Sequence, residues 1–316
     1  MPELNEVFSE RPATKKIAKS RGAPFHLPAL IVSLLVLVSA FGRPLYELFS
    51  YSLHSTLYSH IPIIPLISFY LFWLKKSEVR AQIGRGSRWT SLGFALGGAG
   101  VLAFYWIAVA QTVTLAKEDA FFLLTASFLL FFVAICGWFF GGGVLRAAAF
   151  PLSFLAFMLP FPTIVNHGIE TFLQHGSAWV ALGFFKISGM PVFNESLVFQ
   201  LPGFSMRVAP ECSGIHSTLA LFITSMVAGR LFLRTKWKHA VLALFVIPLA
   251  LVRNGFRVFV IGQLCVRISP DMIHSYIHRQ GGPIFFALSL IPFTIVLWIL
   301  IRSERRAVTH SSPKLS

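Results

Sequence analysis

Charge is scarce in this chain. Lys, Arg, Asp and Glu make up 12% of its 316 residues, about half the roughly 25% usual in a soluble domain, while 55% are hydrophobic. Acidic residues are the rarer sign, 12 against 27 basic ones, for a net charge of +15. A surplus of that size raises nucleic acid as a partner. The basic residues, however, stand in short clusters between apolar runs, which is the mark of membrane topology, and no nucleic-acid partner is expected. Cysteine is also rare. Cys136, Cys212 and Cys265 are too few and too scattered for a disulfide framework. Neither a phosphate-cradling P-loop pattern nor a zinc-type Cys/His spacing occurs, so no metal and no cofactor is expected. The basic N-terminal stretch is followed by an apolar run without a convincing small-residue cleavage site, which predicts an uncleaved first helix.

What the sequence has in quantity is long apolar stretches. They predict an all-α polytopic membrane protein with about eight transmembrane helices, near 27–42, 57–74, 90–111, 119–140, 144–160, 212–233, 239–264 and 282–301, each about long enough to cross ~30 Å of hydrocarbon. With the N-terminus placed in the cytoplasm, the inner segments hold 19 Lys and Arg and the outer ones 6. That bias predicts a multi-pass protein of the plasma (inner) membrane with both termini cytoplasmic. The expected organisation is a cytoplasmic basic tail (1–26), one integral-membrane domain (27–301) and a second basic tail (302–316). The longest outer segment, about 161–211, has helical apolar spacing over "IVNHGIETFLQHGSAWVALGFFKISG" and then an alternating stretch with turn residues. It reads as an interfacial helix followed by a short hairpin.

Three groups of residues fit lipid poorly. "RVAPECSGIHSTLALF" (207–222) places Cys212 in the first turn of a predicted helix, where unpaired N–H groups and the dipole favour a thiolate. Ser213 and Gly214 leave room for a substrate backbone, whereas Glu211 opposes thiol ionisation unless it is paired. Packing is the plainer reading of Cys136 and Cys265. In "LALVRNGFRVFVIG" (249–262), Arg253, Asn254 and Arg257 share a helix face. Burying a guanidinium in a span costs about 2.5–3.5 kcal/mol on insertion scales unless it finds a partner or water. Arg257 is expected about 10 Å from the outer helix end, with Arg253 deeper. In "DMIHSYIHRQGGPIFF" (271–286), His274 and His278 precede Gly281, Gly282 and the last helix, again on the outer side.

A thiol, a guanidinium and an imidazole converging on one membrane face suit acyl transfer. The thiolate attacks a carbonyl and forms a thioester, the imidazole moves the proton, and the cation holds the oxyanion or favours the thiolate. Five elements then make the chain resemble the exosortase/archaeosortase family of multi-pass membrane cysteine transpeptidases: "YSHIPIIPLISFYLFW" (58–73), "FPLSFLAFMLPFP" (150–162), "ECSGIHS" (211–217), "NGFR" (254–257) and "HRQGGPIFF" (278–286). They occur in family order across roughly 45–300.

The resemblance implies catalytic roles for Cys212, Arg257 and His278. It selects Arg257 over Arg253 and His278 over His274; Arg279 is an alternative to His278, since archaeal relatives use arginine at the third position. Supporting positions are Glu211, Ser213, Gly214, Arg253, Asn254, His274 and Gly282. It further implies partners: exported proteins ending in a short motif (PEP-type in bacteria), a membrane helix and a basic cluster; an envelope lipid or glycan acceptor; and the surrounding membrane lipids. The rival readings are a transporter binding an anionic solute through Arg253 and Arg257, a membrane acyltransferase with a histidine base, and a structural member of an export complex.

Overall fold

The computed structural model describes residues 27–84, 88–111, 114–210, 213–269, 271–272 and 281–311. Helices α1 (Leu27–Ala40) and α2 (Gly42–His54) meet at a 62° bend. A turn over 55–60 and a 3-10 turn, Ile61–Ile63, lead into α3 (Ile64–Leu74). Pro62 and Pro65 stand at the starts of these two elements, where a missing N–H removes no helical hydrogen bond. The short α4 (Lys76–Arg80) precedes a hairpin of long helices, α5 (Trp89–Ala110) and α6 (Lys117–Phe140). Small residues let those two backbones approach: Gly98 of α5 faces Leu130 and Phe131, and the Ser127 hydroxyl donates to the Gly98 carbonyl at 2.9 Å.

Next come α7 (Gly142–Ala147), α8 (Ala149–Phe154) and the 3-10 turn Leu155–Met158. Pro160 and Pro162 then end the helical path, and α9 (Thr163–Ile187) leaves at 88°. Strands β1 (Phe193–Glu195), β2 (Val198–Leu201) and β3 (Phe204–Arg207) form an antiparallel meander. Its second turn is Pro202-Gly203, with Gly203 at φ +73, the pairing a type II turn requires. Helices α10 (Ile215–Phe232), α11 (Lys236–Arg267) and α12 (Gly282–Ser311) complete the chain.

Among the described residues five helices, α5, α6, α10, α11 and α12, are long and apolar enough to cross a membrane, or up to seven spans if each bent pair counts as one. This is a multi-pass membrane protein, and its described helices give five to seven candidate spans where about eight were expected. The expected helix at 57–74 reaches only from Ile61 to Leu74, and the one at 144–160 is broken into α7, α8 and a 3-10 turn. The expected hairpin gains a third strand, β3, because Pro202-Gly203 turns the chain back once more.

Helix α11 is also longer than expected. Its 32 residues span about 48 Å, well beyond ~30 Å of hydrocarbon. The surplus packs against protein. Val258, Ile261 and Cys265 of α11 share a buried cluster with Ala178, Ala181 and Phe185 of α9 and with Phe199, Leu201 and Met206 of the sheet. Each fully buried Phe or Leu there contributes about 1.5–3 kcal/mol. Strands of three or four residues are marginal alone, so the two helices hold the sheet rather than the reverse. Cys265 is thus a core residue, as read from the sequence.

Helix α9 lies parallel to this half of α11, and glycines set the spacing. A Cβ on Gly255 would sit 2.8 Å from Val180 Cβ and 2.9 Å from the Ser177 carbonyl oxygen, and one on Gly262 would sit 2.6 Å from the Phe185 ring. At Gly255 the obstacle is backbone, which cannot swing aside. Replacing Gly255 with Ala is expected to destabilise the protein by about 1–3 kcal/mol, read as a lowered unfolding midpoint in detergent. An unchanged midpoint would show that α9 and α11 are not in this close contact.

Candidate functional site

The approach to α10 is built around one carbonyl. Gly214 sits in the left-handed region at φ +74 and directly precedes Ile215, the first residue of the helix. Its carbonyl oxygen accepts the Thr218 hydroxyl at 2.8 Å and the Ser217 hydroxyl at 3.1 Å. From α11, Arg253 Nη2 donates to the same oxygen at 3.3 Å and to Thr218 Oγ1 at 3.2 Å. Arg253 is 7% exposed, so these bonds act where water does not compete. Its Nη1 is buried and meets no hydrogen-bond partner among the described residues.

Asn254 closes the other side. Its Nδ2 donates to Ser177 Oγ on α9 at 3.0 Å, and its Oδ1 would lie 3.1 Å from a Cβ at position 214. Glycine is needed there twice over, for the positive φ and for the space. Ser213, also buried, donates its backbone N–H to the Pro210 carbonyl at 3.0 Å. Gln174 of α9 donates to the Val208 carbonyl at 3.3 Å. The turn is therefore held from α9, α10 and α11 together.

Of the residues expected from the sequence, the structure brings together Ser213, Gly214, Arg253 and Asn254. Arg257 lies one turn along α11 on the Arg253 side, half-buried. Counted from Lys236, Arg257 is about 32 Å along the helix, one hydrocarbon thickness. Because α11 runs on to Arg267, Arg257 is about 15 Å from the helix end rather than the expected 10 Å. Gly282 opens α12, and among the described residues no other part of the fold comes within 4 Å of the position a Cβ would take. Phe285, a turn later, packs its ring 6.3 Å from that of Phe256, beside Arg257. Glu211, Cys212, His274 and His278 lie outside the described residues, as does Arg279. The expectation that position 212 opens the helix is corrected by the start of α10 at Ile215.

Sequence reasoning assigned nothing to a second polar group at the same end of the bundle. His216, in the first turn of α10, has its Nε2 3.4 Å from Ser59 Oγ in the turn before α3. Beside it, burial holds the His60 imidazole below its ordinary range; backbone hydrogen bonds to Leu57 and Phe157 oppose this, and His216 adds to it. Tyr51 donates to Glu118 Oε1 at 2.6 Å, and Asp119 accepts the Thr163 N–H at 2.8 Å and hydroxyl at 3.1 Å. These bonds tie α2, α6 and the start of α9 to that end. The available signal was the pair of histidines inside the short stretches "YSHIP" and "SGIHS"; nothing in their spacing announces contact.

With this geometry in view, residues 51–295 match the family described as transmembrane exosortase (Exosortase_EpsH). The chain belongs to the transmembrane exosortase family. The match covers the Gly214 turn, the Arg253–Arg257 segment and the approach to α12 of this exosortase. No match is found among curated proteins or solved structures.

Replacing Arg253 with Met is expected to speed amide exchange over Ile215–Leu219 by about tenfold or more, since a charge-assisted bond in a buried site is lost. Unchanged exchange would mean that the guanidinium does not restrain the turn. His60 supplies a pH test. Its folded pKa is depressed, so the stability it contributes is present above the ordinary imidazole value of ~6.5 and is lost as pH falls below it. The unfolding midpoint is expected to drop on acidification through that range, and to drop less in His60→Gln. Equal slopes would remove His60 as the cause.

Proposed function

We propose that this exosortase is a membrane-embedded cysteine transpeptidase that cleaves C-terminal sorting signals of exported proteins and transfers the new carboxyl end to an envelope acceptor. The observation that carries this reading is the family match over residues 51–295, which includes the stretches holding Cys212, Arg257 and His278.

Cys212 supplies the thiolate. It attacks the carbonyl of the scissile bond, the C–N bond breaks to leave a thioester on sulfur, and the leaving amine takes its proton from His278. An acceptor nucleophile, deprotonated by the same imidazole, then attacks the thioester, forms the new acyl bond and releases the thiolate. Arg257 holds the oxyanion that forms in each half-reaction. Arg253 and Asn254 act through the backbone: they hold the Gly214 carbonyl and the turn that leads into α10. The distribution of basic clusters supports an orientation with both termini in the cytoplasm and the Gly214 end outside. In that orientation a substrate's membrane helix docks beside the bundle, its basic tail stays inside, and its scissile bond meets the Gly214 end.

The rival reading of Arg253 and Arg257 as a solute-anion site would have to share Arg253 with the turn, whose Gly214 carbonyl and Thr218 hydroxyl its Nη2 already holds. The test is Cys212→Ala in cells making a protein with a motif–helix–basic-cluster tail. Cleavage is expected to fall by at least about a thousandfold, with the uncleaved form accumulating, and a hydroxylamine-sensitive adduct on the native chain is expected to vanish. Normal processing by the variant would refute the thiol mechanism.

A further inference from the structure

The opposite end of the bundle carries a cavity that the transpeptidase reading does not use. It has a volume of about 830 Å³, within the usual range of ligand sites, and is framed by α3, α8, α12 and the end of α10. Leu71, Leu74 and Phe150 give it an apolar surface, and Arg230 and Arg234, with Lys75 and Arg305, give it positive charge.

The two carboxylates at this cavity are both engaged elsewhere. Glu78 turns to Lys75 at 3.1 Å. Glu304 accepts the backbone N–H groups of Arg234 at 3.0 Å and Thr235 at 2.9 Å, with Lys238 Nζ 3.9 Å away. It holds the two residues that lead into α11, where its charge also complements the helix dipole. Among the described residues neither the Arg230 nor the Arg234 guanidinium pairs with a carboxylate. Arg230 instead lies with its guanidinium carbon 5.6 Å from the centre of the Phe150 ring. The cavity therefore combines guanidinium groups with an apolar surface, at the end of the helices where basic residues gather.

We propose that this cavity binds an anionic glycerophospholipid, with Arg230 and Arg234 on its phosphate and the first methylenes of its acyl chains over Leu71, Leu74 and Phe150. Guanidinium matches phosphate in a planar, two-point fashion that ammonium cannot. Basic pockets between membrane helices on the cytoplasmic side are suited to lipid headgroups. A free anion would use the arginines and leave the apolar surface wet; a zwitterionic lipid would cover that surface but bring its own cation to the arginines. The bound lipid joins the end of α10 to α3 and α8.

The test titrates the full chain, purified in an uncharged detergent, with phosphatidylglycerol, phosphatidylcholine and inorganic phosphate, and reads bound lipid by native mass spectrometry. Phosphatidylglycerol is expected to bind about tenfold or more tighter than phosphatidylcholine, and Arg230→Gln with Arg234→Gln to weaken it by about tenfold or more. Arg234→Gln alone, which keeps the backbone N–H that Glu304 needs, is expected to weaken it severalfold and decides the matter if the double variant does not fold. Equal binding of the two lipids, unchanged binding in the variants, or full displacement by millimolar inorganic phosphate would each overturn the proposal, the last by revealing a site for free anions.

Discussion

A guanidinium buried between helices needs a fixed set of acceptors, and in this protein that need organises one whole end of the bundle. Arg253 reaches from α11 to the carbonyl of Gly214 and to Thr218. Leaving that charge unmatched in a dry setting would cost several kcal/mol, so the turn before α10 has to lie where the arginine can find it. The other restraints follow. Asn254 next door bonds α9, Gly255 lets α9 come close enough for that bond, and the sheet that feeds the turn packs in the angle between α9 and α11.

This arrangement divides the molecule into two kinds of interior. In the α5–α6 hairpin much of each helix surface is left for lipid, and small residues and hydroxyls make the helix contacts. Around α9, the sheet and the second half of α11, the buried cluster is rich in Phe, Ile, Leu and Val, as in a water-soluble domain. The site lies where α9, α10 and α11 meet, at the edge of the second interior. On one side it borders the low-dielectric interior, where charge-assisted bonds are strong. On the other it borders the turn carrying Ser59 and His60.

The sequence made some of this legible and hid the rest for identifiable reasons. Helices α5 and α6 match their expected limits within two residues because each is one apolar run bounded by polar breaks. Arg253, Asn254 and Arg257 stood out as polar residues in an apolar helix, and Gly214 as a small residue beside an apolar run. The partner of Arg253 was invisible: it is a backbone carbonyl 39 positions away, and a carbonyl has no letter of its own. The surplus length of α11 was hidden as well, because hydropathy scores Val258, Phe259 and Ile261 alike whether they meet lipid or Phe185. The contact between Ser59 and His216 joins segments 157 positions apart, a distance no local pattern spans.

The length of α11 has a mechanical meaning. One helix runs from Lys238, which is anchored to Ser303 on α12, through the apolar layer to the cluster around Phe185, with Pro248 inside it as the place where the hydrogen-bond ladder is interrupted. A change in the tilt of the half beyond Pro248, which carries Arg253, would therefore raise or lower the Gly214 turn against the lipid surface. Bilayer thickness, which sets helix tilt through mismatch, becomes a quantity that positions the chemistry.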